Sequence, residues 1–366
     1  MTVILNNDEI TKLLPMAQCL AQLDEAYREL GEGRAISRPR SDIYGPLHDN
    51  GRYVFKTMDG MVPKFEVAAV RLNSDVIQWG TGAGGIRKDK QRTAPGEKFV
   101  GLILLFSTRN GEPLAIMPDG VIQRLRVACA NALGAKYMAP AHASIYALIG
   151  SGWQASAQAV AMSLVRPLRE VRIYSPTSAN RERLAAGLKE QLGIDVRAVD
   201  DPRIAVRGAH IVGCATNSLT PVLQADWLDS NAHVTCVKEL ELDDRILERS
   251  ALVVVHARLG RPANFIIGKG QDAIYDHDPK EGLAEDLQKI RAARKSRLDL
   301  AERPDLGELV SGHVQPPPHG GLTCFVNVMG LGLQFAALGA LAYEAAKKQG
   351  VGREIPTDWL LELEHP

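Results

Sequence analysis

Apolar side chains recur at three- and four-residue steps through Met16, Cys19, Leu20, Leu23, Ala26, Tyr27 and Leu30, the repeat of a helix that buries one stripe. Pro15 suits its first turn, Asn7 and Asp8 are candidate caps upstream, and Gly31 and Gly33 close it. From residue 38 to 106 the pattern shortens to β-like runs at 53–57, 67–72 and 100–106, divided by turn residues. This stretch predicts a sheet-rich region. Residues 79–98 are rich in glycine and carry five basic side chains; they read as a solvated hairpin loop, with a lid or an anion contact as the alternative.

Beyond about residue 124, short apolar runs at 145–149, 171–174, 195–199, 210–214, 232–237 and 252–255 alternate with helical stretches such as 180–192 and 202–207. Strands that are apolar throughout predict a parallel sheet covered on both faces. A polar, helical pattern through Leu283, Leu287 and Ile290 suits an outer helix of the same unit. Pro316, Pro317 and Pro318, then Gly320 and Gly321, mark a crossing point. After it, residues 331–348, dense in Ala and Gly, predict a helix that returns to the first region. The fold class expected is α/β: a doubly wound Rossmann domain over 125–318 beside an α+β domain built from 1–124 and 319–366.

The strongest chemical signal sits where the run 145–149 meets Gly150, Ser151, Gly152, Trp153, Gln154 and Ala155 and passes into a helix. This is the G-x-G-x-x-G/A fingerprint in its strand-turn-helix context. Gly150 permits the tight turn, Gly152 lets backbone approach a pyrophosphate, and Ala155 keeps helix and strand close. Backbone N–H groups at the helix start then meet phosphate. At the end of the second strand, where an NAD site usually has a carboxylate for the ribose, the chain reads Tyr174, Ser175, Pro176, Thr177, Ser178, Ala179, Asn180 and Arg181. Ser175, Thr177 and Arg181 suit a 2′-phosphate, so NADP(H) is favoured over NAD(H), although Arg181 also fits a plain surface position.

Composition narrows the partners. The 366 residues hold 43 basic and 43 acidic side chains, so no global field draws the chain to nucleic acid or anionic lipid. No apolar run reaches the ~18 residues of a membrane span and the start shows no leader pattern, so a cytoplasmic protein acting on a small molecule is expected. Five scattered cysteines read as reduced core residues rather than a disulfide framework. The nine histidines, among them His48, His277 and His365, have no metal-ligand spacing, so no metal is expected.

Several segments together, Gly101 to Ala139, the IGSGWQ turn, GAHIVGCATNSLTPVL from Gly208 to Leu223, and ELDD from Glu241 to Asp244, resemble the ornithine cyclodeaminase and mu-crystallin family. The resemblance implies an N-terminal substrate and dimerisation domain, completed by the tail, around a dinucleotide domain, with two subunits joined through their N-terminal sheets as a homodimer. It implies chemistry on small amino, imino or keto acids: reduction or dehydrogenation, cyclodeamination as an alternative, or nucleotide binding without catalysis. Arg126, in LRVA, becomes a substrate-carboxylate clamp, although the residues alone also suit a surface helix. Arg40, in RPR, resembles the family's other carboxylate-binding arginine.

Arg71 stands where the family commonly has an active-site lysine, and arginine is a poor proton shuttle. Asn73, Ser74 and Asp75 follow it as candidate contacts to an amine or hydroxyl. Lys56 aligns with a family glutamate, while Lys238 and Glu239 occupy the neighbourhood of a catalytic aspartate that this chain lacks. That absence demotes cyclodeamination and leaves the proton to Lys56, Lys238, Glu239 or Asp75. Thr216, Asn217, Val237 and Asn327 match segments on the nicotinamide side, though Thr216 and Asn217 also suit a helix cap. Phe335 replaces an acidic residue frequent in the family.

Overall fold

A computed structural model describes residues 1–47, 51–82, 85–258, 263–267, 270–271 and 300–364. The helix expected through Leu283, Leu287 and Ile290 lies outside them, as do His48, His277 and His365. The described chain builds two sheets. One has seven parallel strands in the order Asp195–Ala198, Glu170–Tyr174, Ile145–Ile149, Ile211–Cys214, His233–Cys236, Thr323–Val326 and Leu252–Val255. Its inner strands Ile211–Cys214, His233–Cys236 and Thr323–Val326 are buried at every position, while edge strand Asp195–Ala198 is not. Continuously buried, mostly apolar runs therefore fill the two-sided core, as parallel packing requires. The strand order reverses between Ile145–Ile149 and Ile211–Cys214. Crevices that hold ligands in such folds open at this reversal, beyond the carboxyl ends of the strands.

The other sheet is mixed. Its central strands are Ser41–Pro46, Arg52–Val62, Val67–Gly82, Val100–Ser107 and Pro113–Pro118, flanked by Ala263–Ile266 on one side and by Thr2–Ile4 and Arg353–Ile355 on the other. The tail helix Gly332–Gln349 packs across Arg52–Val62 and Val67–Gly82. Glycine permits that approach: a Cβ on Gly60 would stand 2.2 Å from the Leu333 nitrogen. The connecting helix Gly120–Met138 runs from this sheet to the parallel one and packs on Trp153–Val165.

Two strands fall across the expected division of the chain. Thr323–Val326, assigned to the first domain by position, pairs inside the parallel sheet, and Ala263–Ile266 pairs with Ser41–Pro46 in the mixed one. The segment 79–98, expected as a hairpin loop, is mostly strand, since Val67–Gly82 continues and Gly85–Gln91 pairs back on it. Cross-strand pairing, not residue propensity, decides such a glycine-rich stretch. All five cysteines are buried and unpaired by disulfides. Among the described residues no helix is long and apolar enough to cross a membrane, and no group of three His, Cys, Asp or Glu side chains is placed to hold a metal.

Candidate functional site

The fingerprint turn is built as its sequence predicts. Gly150 has φ +126°, and a Cβ there would lie 2.3 Å from the Ala215 carbonyl oxygen, so only glycine fits. Gly152 caps the helix Trp153–Val165, and nothing lies within 4 Å of where its Cβ would be. The backbone there is open to a ligand. Gln154 Oε1 is buried with no partner among the described residues, and Trp153 is exposed beneath the Arg124 guanidinium, 5.5 Å from its ring centroid. Ser151 donates to Ser175 Oγ at 2.7 Å, which reaches on to the Thr177 carbonyl. Thr177 caps the next helix, and Arg181 folds back onto the Ser175 carbonyl at 2.9 Å. Asn180 and Arg183 line a cavity of about 340 Å³ together with Ser151, Gly152 and Trp153. Arg183 is a basic residue at this turn that the motif gave no reason to single out.

Across the crevice, Glu241 organises the ends of two strands. Its Oε1 accepts from Thr216 N at 2.6 Å and Thr216 Oγ1 at 2.7 Å, and its Oε2 accepts from Val237 N at 2.9 Å and Lys238 N at 3.1 Å. Burial pushes this carboxyl up, and the donors pull it back. Lys238, lowered by burial, donates to the Thr216 carbonyl at 3.1 Å. Glu239 is half-buried beside it, and Asn217 is exposed. Asn327, just past Thr323–Val326, donates to the Val127 carbonyl at 3.1 Å and to Asn131 Oδ1 at 2.8 Å. It thereby ties the carboxyl edge of the parallel sheet to the helix that carries Arg126.

The mixed sheet supplies the facing wall. Alternation along each strand sends Lys56, Arg71, Asn73 and Asp75 to its inner face, where all are buried. Lys56 stands opposite Asp42 and Asn73 in register, and Arg71 opposite Met58 and Ile103. Arg71 donates to Asp119 Oδ2 at 2.7 Å, and Asn73 donates to the same oxygen at 3.1 Å. Lys56 pairs with Asp75 at 2.8 Å, and Lys90 reaches the same oxygen at 2.9 Å. Burial lowers the Lys56 ammonium, partly offset by Asp75. Arg40 pairs with Asp42 at 2.8 Å.

Arg126 differs from its neighbours. It donates to Gln123 Oε1 and Gln334 Oε1, both at 3.2 Å, and among the described residues it has no carboxylate partner. It shares the Phe335 ring with Arg71, their guanidinium carbons standing 5.7 and 5.1 Å from the centroid. Burial and the Arg71 charge push Arg126 down to about 9. Behind it, buried His256 donates from Nδ1 to the Met329 carbonyl and accepts the Tyr27 hydroxyl at Nε2, and burial lowers the ring to about 4. Met329 adopts φ +62° just before Gly330, where a Cβ would stand 3.0 Å from the guanidinium.

Of the residues singled out from sequence, Arg71, Asn73, Lys56 and Asp75 share one wall, with Arg40 at its margin and Arg126 facing it. The fingerprint residues form a second group, and Thr216, Val237, Lys238 and Asn327 a third, all at carboxyl ends of the parallel strands. Asp119, Glu241 and His256 were missed. Asp119 carried a signal in standing one residue before a helix of the family-like segment, and Glu241 opened ELDD; His256 carried none.

A family model described as the ornithine cyclodeaminase/mu-crystallin family matches residues 1–315. The chain is 27% identical over 263 residues to the Delta(1)-pyrroline-2-carboxylate reductase of Bacillus cereus, covering 71% of this chain and 75% of that one. The structure of Thermococcus litoralis Delta(1)-pyrroline-2-carboxylate reductase in complex with NADH and L-proline aligns with a TM-score of 0.75 at 24% identity, covering 97% of this chain and 100% of that one. An archaeal alanine dehydrogenase dimer with bound NAD aligns with a TM-score of 0.74 at 23% identity, covering 97% and 99%.

Proposed function

Because the chain belongs to the ornithine cyclodeaminase/mu-crystallin family, we propose that it is a nicotinamide-dependent reductase or dehydrogenase of a small amino or imino acid, working as a homodimer. The observation that carries this reading is Arg126. It is a buried guanidinium without a carboxylate partner among the described residues, and Asn327 holds its helix over the carboxyl edge of a dinucleotide-type sheet. A buried cation is costly unless an anion meets it, and an α-carboxylate accepts two parallel N–H bonds from a guanidinium. The relatives' activities and the nicotinamide nucleotides in the aligned structures agree with it.

The turn residues fit a dinucleotide: Gly150 admits no side chain, the space over Gly152 is open, and Gln154 Oε1 is an orphaned acceptor. When bound, the nicotinamide would supply or take the hydride. The chain's own residues do the rest. Arg126 fixes the substrate carboxylate, and Arg71, held by Asp119, adds positive charge that favours electron flow toward the α-carbon. Lys56, kept charged by Asp75 while burial lowers its affinity for the proton, is the donor to the substrate nitrogen. Lys238 is occupied with the Thr216 carbonyl and serves the crevice wall instead. Arg181 and Arg183 are the groups that would favour NADP(H) over NAD(H).

Incubating the protein with a cyclic imino acid and either NADH or NADPH should bleach the nicotinamide band only when both are present. A retained, non-exchanging cofactor together with conversion of ornithine to proline would instead establish the lyase. No cofactor binding at all would refute both.

A further inference from the structure

Among the described residues, charge on the substrate wall is unbalanced in two separate places. Six cations, Arg40, Arg52, Lys56, Arg71, Lys90 and Arg126, meet three carboxylates, Asp42, Asp75 and Asp119, among the described residues of this wall. Asp119 is taken by Arg71 and Asp42 by Arg40. Asp75 alone must serve both Lys56 and Lys90. One surplus charge is therefore Arg126, and a second surplus lies at the lysine pair, with Arg52 opposite the same Ile77 that faces Lys90. The α-carboxylate of the proposed substrate cancels only the first.

The second surplus is built into the sheet. Arg71, Asn73 and Asp75 follow one another at alternate positions on the inner face of one strand, spaced ~6.7 Å apart. Lys90 comes from the neighbouring strand opposite Ile77, the next inward position. The lysine pair thus lies farther along the strand than the arginines. Side-chain exposure also differs: 10% for Lys56 and 44% for Lys90, with Asp75 at 1%. The surplus is reachable from solvent on the Lys90 side and desolvated on the Lys56 side, where an added anion interacts strongly.

We propose that the substrate carries a second carboxylate, seated on Lys90 beside the Lys56–Asp75 pair, so that the enzyme acts on an imino or amino dicarboxylic acid. The inference rests on the function proposed above and names its substrate class. With Lys90 turned to the second carboxylate, Asp75 keeps Lys56 as a one-to-one partner, and the described charges of the wall come closer to balance. A substrate ending in a methyl group would leave Lys90 crowded against Lys56 over one aspartate.

The test compares two five-carbon keto acids that differ only at the far end. Cofactor-loaded protein is titrated by calorimetry with 2-oxoglutarate and with 2-oxopentanoate. The expected result is at least about tenfold tighter binding of 2-oxoglutarate. Lys90→Met should collapse the ratio toward one, while Lys90→Arg preserves it; because Lys90 is half-exposed, both variants are expected to fold, which their melting temperatures check. Equal affinities in the unaltered protein, a ratio indifferent to Lys90→Met, or no binding of either acid would overturn the proposal. Reduction of a monocarboxylic imine by NADH or NADPH is measured in parallel. If that reaction proceeds while the affinity ratio is one, the reductase reading stands and only the dicarboxylate inference falls.

Discussion

Arg126 is held between two neutral amides and an aromatic face, an environment that stabilises a guanidinium less than a carboxylate would. Its replacement therefore separates function from folding. Arg126→Met keeps length and apolar bulk while removing the buried charge, so the melting temperature should hold or rise. Loss of charged hydrogen bonds worth about 1.5–3 kcal/mol should lower kcat/KM roughly 10- to 150-fold, with cofactor affinity nearly unchanged. A fall in melting temperature with equal loss of cofactor would make the residue structural. Glu241 predicts the opposite pattern. Four donors converge on its two oxygens, and Glu241→Gln turns an NH₂ group toward one pair of them. Each unpaired buried donor costs about 1–3 kcal/mol, so both thermal stability and nucleotide affinity should drop, read by scanning fluorimetry and calorimetry. Glu241 and Asp119 carried local signals but no sign of their distant partners: Thr216 lies 25 positions from Glu241, and Arg71 lies 48 from Asp119. Arg126 is singled out only by the family resemblance, since its residues alone also suit a surface helix, whereas the glycine turn at 150–155 is a local word in the chain.

Among elements, the turn after Thr323–Val326 couples folding to acidity. His256, which follows Leu252–Val255, is fully buried between Tyr27 and the Met329 carbonyl, and burial with the nearby Arg126 charge lowers it from 6.5 to about 4. His233, inside the parallel sheet, is lowered to about 3 by the same burial. Both rings are neutral in the folded protein at pH 7, whereas the unfolded chain begins to protonate them near pH 6.5. Their contribution is present above that value and is lost as pH falls toward the folded values, at ~1.4 kcal/mol per pH unit for each ring. The urea midpoint should decline between pH 6.5 and 4.5, and His256→Gln should make that decline shallower; an unchanged slope would mean that the ring is charged in the fold. The two sheets and the returning tail helix are legible in the sequence, since hydrophobic period reports burial element by element. The insertion of Thr323–Val326 between two strands contributed much earlier in the chain, and the pairing of Gly85–Gln91, are not, because neighbour choice within a sheet is settled by tertiary contacts.

For the whole molecule, the far side of the mixed sheet is left uncovered by the described residues. Alternation that sends Lys56, Arg71 and Asp75 inward sends Ile43, Tyr53, Met61, Val100 and Leu102 outward, exposed by 36–47%. These are not scattered: Ile43 pairs with Phe55, Phe55 with Ser74, Ser74 with Val100, and Leu72 with Leu102. A contiguous apolar sheet face of this kind marks an interface, and a second copy meeting it about a twofold axis would bury the same patch on both partners. The homodimer proposed above makes that arrangement the one to test. Light scattering should give twice 39.8 kDa for the unaltered chain. Leu102→Arg puts a charge near the middle of the patch on both subunits at once, so the mass should fall toward one chain. The inner wall is built on the same strands in alternate register, so a sheet that loses its cover should also hold Arg71 and Lys56 less rigidly. Turnover should then fall together with mass and recover as protein concentration rises. A Leu102→Arg protein that remains dimeric would place the contact elsewhere on the surface.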